Sequence, residues 1–135
     1  MNIVGKVING YLFEEALGSG SFGAVYKVSK ANKIYAAKVL SETYILDEFK
    51  HEQNRITREI DVLKTVKGEN LIKYQEDFYF KNEFGVLEYV IVMEYFVGET
   101  LRKYLKKDVA LDVLVKIFIN ILHGVSDLHN TVIEN

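Results

Sequence analysis

Residues 17–25 read Leu17-Gly18-Ser19-Gly20-Ser21-Phe22-Gly23-Ala24-Val25, with the three glycines in a G-x-G-x-x-G pattern. That spacing by itself serves several phosphate-binding folds and many plain turns. The flanks decide its meaning. Before it, Tyr11 to Leu17 mixes aromatic and aliphatic residues and predicts a strand. After it, Ala24-Val25-Tyr26-Lys27-Val28-Ser29 alternates apolar and polar, which predicts a second strand. A dinucleotide fingerprint would run from its last glycine into a helix. A P-loop would close on G-K-[ST], whereas Ala24 and Val25 follow Gly23 here. What remains is a glycine-tipped hairpin between antiparallel strands.

Outward from the hairpin, Lys30-Ala31-Asn32-Lys33 is a polar turn, and Ile34 to Leu40 predicts a third strand carrying Ala36-Ala37-Lys38. From Asp47, a plausible cap, to Val66 the pattern is helical, with Ile56, Ile60 and Leu63 on one stripe and Glu59 bordering it. Glu52 lies two turns earlier on the same face. Gly68-Glu69-Asn70 closes this helix. Asn70–Phe80 and Val86–Tyr95 predict two more strands around the polar turn Lys81-Asn82-Glu83-Phe84-Gly85. Leu101, Tyr104 and Leu105 mark a short helix. A long helix follows from Asp112 to His129, apolar over well over half its circumference, as suits the centre of a larger helical layer. Upstream, Met1 to Gly10 is a short leader ending in the turn signal Asn9-Gly10.

Several of these stretches together resemble one family. They are the glycine hairpin, the A-A-K strand, the helix end R-E-I-D-V-L-K with G-E-N-L-I-K-Y after it, the strand Y-V-I-V-M-E-Y, and the pair Leu128-His129. The chain resembles the eukaryotic-type protein kinases, of serine/threonine rather than tyrosine type. The resemblance covers nearly the whole chain but only the front half of a kinase domain. It implies an α+β fold: a protein-kinase-like N-lobe, with a five-stranded antiparallel sheet and helix C, then the hinge and the first helices of a truncated C-lobe. The expected division is a leader over 1–10, the N-lobe over 11–95, and the hinge with helices D and E over 96–135.

By that resemblance ATP is the cofactor. Gly18, Gly20 and Gly23 bring the loop backbone to its phosphates, and Leu17, Val25 and Ala36 sandwich the adenine. Lys38 holds the α/β-phosphates and Glu59 of helix C positions Lys38, with Glu52 as its rival. Met93 is the gatekeeper, and the Glu94 carbonyl and Phe96 N–H face the adenine edge. Val97-Gly98-Glu99-Thr100-Leu101 departs from the family's G-G-x-L, which leaves the ribose contact open between Glu99 and Thr100. His129 is structural by the same resemblance.

The family's catalytic loop H-R-D-x-K-x-x-N and its D-F-G magnesium aspartate are not in this sequence, so no residue is assigned as catalytic or metal-binding and the polypeptide alone is expected to be inactive. Magnesium belongs to the family's chemistry, but its ligands are missing from this chain. Three readings stand: part of an active serine/threonine kinase that meets a protein substrate in a full-length form, a catalytically inactive pseudokinase-like ATP-binding module, or a non-enzymatic interaction domain.

Composition narrows the alternatives. At 135 residues the chain makes one domain at most. A net charge of -2 does not suggest a nucleic-acid binder. The lack of cysteine removes disulfides and thiolate metal sites, and His51, His123 and His129 have no metal-motif spacing. No apolar run reaches membrane-spanning length and no signal core opens the sequence, so no membrane partner and a cytoplasmic location are expected.

Overall fold

The computed structural model describes residues 3–20, 23–41 and 55–131, the side chains of 41 and 55–59 excepted. Its strands are β1 (Val7–Ile8), β2 (Tyr11–Gly20), β3 (Gly23–Lys30), β4 (Lys33–Ser41), β5 (Tyr74–Lys81) and β6 (Leu87–Glu94). They form one antiparallel sheet in the order β1-β2-β3-β4-β6-β5. The sheet therefore has six strands, where the resemblance implied five. The additional one comes from the leader. Asn9 and Gly10 both take positive φ, 50° and 81°, so they close a two-residue hairpin that pairs Ile8 with Tyr11 and Val7 with Leu12. Turns of this hand match the right-handed twist of the strands they join.

Two irregularities in β2, between Phe13 and Glu15 and between Ala16 and Gly18, bend that strand and increase its twist. The sheet curls until its outer strands face each other. Lys6, just before β1, pairs with Glu83, just after β5, at 3.0 Å. The Tyr11 hydroxyl donates to Glu76 of β5, and Lys30 reaches the same carboxylate at 3.0 Å. These contacts tie β5 across the curl to the β1–β3 side of the sheet. Inside the curl lies the larger core, built from Ile3, Tyr11, Phe13, Tyr26, Val28, Ala37, Val39, Val90 and Val92. Each large side chain taken from water in this cluster contributes roughly 1.5–3 kcal/mol.

The opposite face of β4 and β6 holds a second cluster, Leu40, Tyr89 and Ile91, closed by Ile60 of helix α1 (Arg55–Thr65). Leu63, one turn later, packs against it, so Ile60 and Leu63 of the stripe read from the sequence face the sheet. Two helices follow the sheet, α2 (Leu101–Tyr104) and α3 (Leu111–His129). Helix α3 approaches the turn before β5 through Gly124, where an added Cβ would stand 3.2 Å from the Asn70 carbonyl oxygen.

Candidate functional site

Strand register gathers the expected site residues on the α1 side of the sheet. Val25 of β3 pairs with Lys38 of β4, and Lys38 with Ile91 of β6. One pleat over, Ala36 pairs with Met93. Alternation then puts Val25, Ala36, Lys38, Ile91 and Met93 on a common face, since residues two apart in a strand point the same way. Lys38 is half-buried there, while Ala36 and Ile91 are buried. Leu17 is the extra residue at the second irregularity of β2, between Ala16 and Gly18, and is exposed.

The three glycines do different work. Gly23 has φ +126°, and a Cβ there would overlap the Val39 carbonyl oxygen and lie 3.0 Å from its carbon. It is glycine because β3 passes against β4 with no room for a side chain. Gly18 and Gly20 lie outside that φ range, and a Cβ on either would meet no described residue within 4 Å. Packing among the described residues gives no reason for glycine at those two positions.

Beyond β6 the chain is open. The Phe96 N–H has no hydrogen-bond partner among the described residues, and Phe96 itself is exposed. Glu94 is held twice to the segment before β5: its N–H donates to the Lys73 carbonyl at 2.9 Å, and its carboxylate accepts from the Lys73 N–H at 2.7 Å. Both residues considered for a ribose contact are engaged. The Thr100 hydroxyl caps α2 by accepting from the Lys103 N–H at 3.3 Å, and Glu99 is ion-paired with Lys107.

Glu59 lies within α1, but its side chain is outside the described residues, as are Asp47 and Glu52 altogether. The expected Lys38–Glu59 pair falls there with them. Among the described residues no group of three or more His, Cys, Asp or Glu could hold a metal ion.

A polar cluster on this same face was not read from the sequence. Asp77 of β5 pairs with Lys64, in the last turn of α1, at 2.6 Å. Its carboxylate also accepts from the hydroxyls of Tyr74 and Tyr89. Burial alone would push the Asp77 pKa up, but the Lys64 ammonium and the two hydroxyls outweigh it and hold the carboxyl below its ordinary value. Burial and the adjacent carboxylate push the Tyr89 hydroxyl well above its own. The signal was hidden by a β-bulge between Tyr74 and Glu76. Strict alternation would put Tyr74 and Asp77 on opposite faces, and the extra residue brings them to the same one.

The protein-family model for the protein kinase domain matches residues 11–134. Among curated proteins, the chain is 30% identical over 137 residues to a serine/threonine-protein kinase of Arabidopsis thaliana, covering 88% of this chain and 34% of that protein. It is 32% identical over 91 residues to a probable serine/threonine-protein kinase of Dictyostelium discoideum, covering 64% and 15%. With a serine/threonine-protein kinase of Sulfolobus acidocaldarius it shares 30% identity over 109 residues, covering 73% and 18%. The chain thus spans about a third or less of the length of these relatives. Among the described residues no helix is long and apolar enough to cross a membrane.

Proposed function

This chain belongs to the protein kinase family, and we propose that it forms the ATP-binding part of a protein serine/threonine kinase. The observation that carries this reading is the contrast among the glycines. Gly23 is required by its own packing, whereas Gly18 and Gly20 are explained by a ligand that approaches the backbone. In this reading the loop backbone N–H groups meet the phosphates and Lys38 neutralises part of their charge. Glu59 positions Lys38. Leu17, Val25 and Ala36 enclose the adenine, with Met93 behind it. The Glu94 carbonyl and the Phe96 N–H read its edge. That the Phe96 N–H has no hydrogen-bond partner among the described residues supports the last role.

Phosphoryl transfer depends on positioning and charge neutralisation, and the family supplies these with a catalytic-loop aspartate and two magnesium ligands. The 135-residue polypeptide contains no H-R-D and no D-F-G. It therefore binds nucleotide weakly and does not transfer phosphate by itself. Transfer to a protein hydroxyl, with ATP and magnesium, belongs to a kinase that includes those motifs.

Calorimetric titration of the full chain with ATP and with ADP tests the binding. Weak association reduced by Lys38→Ala is expected, and an affinity unchanged by that substitution would refute the assignment of Lys38. Phosphate transfer to a generic protein substrate should stay at background. Robust, Lys38-dependent transfer would overturn the expectation of inactivity.

A further inference from the structure

We propose that Asp77 is a positioning residue for the nucleotide site, acting through α1. The inference rests on the reading above, in which Lys38 contacts the nucleotide and Glu59 holds Lys38. Register carries it first. Asp77 pairs with Ile91, Ile91 with Lys38, and Lys38 with Val25, so one row crosses four strands on the α1 side. Asp77 stands at one end of that row and Lys38 two strands away, about 10 Å at the usual strand spacing.

Helix α1 lies against this face through Ile60 and Leu63, and its Lys64 pairs with Asp77 at 2.6 Å. Glu59 precedes Lys64 by five residues, about 7.5 Å along a helix axis. A helix held at Lys64 over the Asp77 end of the row is held about one and a half turns from Glu59, the residue that positions Lys38 in that reading. One row of the sheet thus carries both the partner of Lys64 and, two strands away, Lys38.

The anchor is built to stay in place. Tyr74 and Tyr89 donate to the two oxygens of the Asp77 carboxylate, fixing its orientation. The Lys64 ammonium also lies 5.4 Å from the centre of the Tyr74 ring, a favourable cation–π placement. A lysine in a helix's last turn is further favoured by the negative end of the helix dipole. The position of α1 along the row is therefore set from its C-terminal end.

The test is a double-mutant cycle on nucleotide affinity, read by calorimetry on the full chain beside thermal melts of every variant. Asp77→Asn keeps a hydrogen-bonding side chain and removes the charge. Lys64→Met breaks the pair from the helix side, so the result does not depend on one variant folding. Each is expected to weaken ATP binding about threefold to tenfold, the usual range for coupling through a packed element. In a Glu59→Gln background the same substitutions should leave affinity unchanged while still lowering the melting temperature. A purely structural Asp77 would instead give additive losses, or lower the melting temperature with no effect on affinity, and either result overturns the proposal. If the wild-type chain binds ATP in a Lys38-dependent way and Asp77→Asn is silent, this inference alone fails. If the chain shows no Lys38-dependent binding, the underlying reading fails and the inference falls with it.

Discussion

The curled sheet and α3 are both rich in large apolar side chains, and they treat them in opposite ways. In β6, Tyr89, Val90, Ile91 and Val92 are each 3% exposed or less, because one face lines the curl and the other lies under α1. In α3, Leu111, Phe118 and Leu122 are 76%, 59% and 66% exposed, and the helix's one buried residue is Gly124. The sheet closes on itself: Lys6–Glu83 links the ends beside its two outer strands, and Glu76 of β5 binds Tyr11 of β2 and Lys30 of β3. Helix α3 leaves apolar surface on most of its circumference that no described residue covers. Stability and candidate chemistry therefore sit together in the sheet, and α3 contributes little to either.

Substitution at Gly23 should break this contrast most sharply. Gly23→Ala forces a side chain into the Val39 carbonyl at a φ that L-residues rarely adopt. We expect a loss above about 3 kcal/mol in chemical denaturation, on the scale of buried overpacking combined with backbone strain. Gly18→Ala and Gly20→Ala meet no described residue and should change stability by less than about 1 kcal/mol while weakening nucleotide binding. Equal stability losses at all three would mean that the hairpin's glycines serve the fold alone.

Truncating the core beside exposed helix positions sharpens the same comparison. Ile91→Ala removes a buried side chain beneath α1 and should cost about 2–5 kcal/mol. Phe118→Glu or Leu122→Glu should cost less than about 1 kcal/mol, since these side chains are largely in water already. The same two changes should reduce binding of an apolar-surface dye and self-association at high concentration, because large exposed apolar patches drive both. A cost at Leu122 equal to that at Ile91 would show that α3 is covered in solution.

Acid titration tests the Asp77 anchor separately from the apolar core. The Asp77 carboxyl is held below its ordinary pKa, so the unfolded chain takes up a proton at this site more readily than the folded one. Its contribution is complete above the unfolded value of about 3.9 and is lost as pH falls through the lower folded value. Asp77→Asn should therefore cost about 1–2 kcal/mol at neutral pH. The gap between variant and wild type should close below about pH 4. A gap that persists unchanged at pH 2 would assign the loss to packing and not to charge.

How much of this was legible in the sequence differs between regions for physical reasons. Strands β2, β3, β4 and β6 carry long apolar runs or alternations, and α1 carries a 3.6-residue stripe, so their existence could be read. The start of β5 was set at Asn70, but the strand begins at Tyr74, after a turn in which the Leu71 N–H donates to the Gly68 carbonyl. Strand β1 has two residues, too few to show any period, and only its Asn9-Gly10 turn was visible. The face shared by Val25, Ala36, Lys38 and Met93 follows from alternation within uninterrupted strands. The Asp77 cluster does not, because a bulge reverses the faces ahead of it. Glu94 and Thr100 were weighed for ligand contacts, and their side-chain bonds to Lys73 and Lys103 depend on tertiary and capping geometry that spacing does not reveal.

The smallest expected effect is at the β3–β4 turn, and it is a gain. Ala31 and Asn32 both take positive φ, 51° and 62°, between the paired residues Lys30 and Lys33. The same turn geometry recurs at Asn9-Gly10, where the residues suit it. Alanine does not suit it: its Cβ crowds the following carbonyl in the left-handed region, at a cost of about 1–2 kcal/mol. Asparagine tolerates that region better through local hydrogen bonding of its side chain. Ala31→Asn should therefore stabilise the chain by about 0.5–1 kcal/mol, seen as a higher denaturation midpoint with an unchanged slope. The turn lies at the end of the hairpin opposite the glycine loop, so nucleotide affinity should not change. A destabilised variant would mean that the Ala31 methyl group is used in packing, and a variant with altered affinity would tie this turn to the site across the full length of β3.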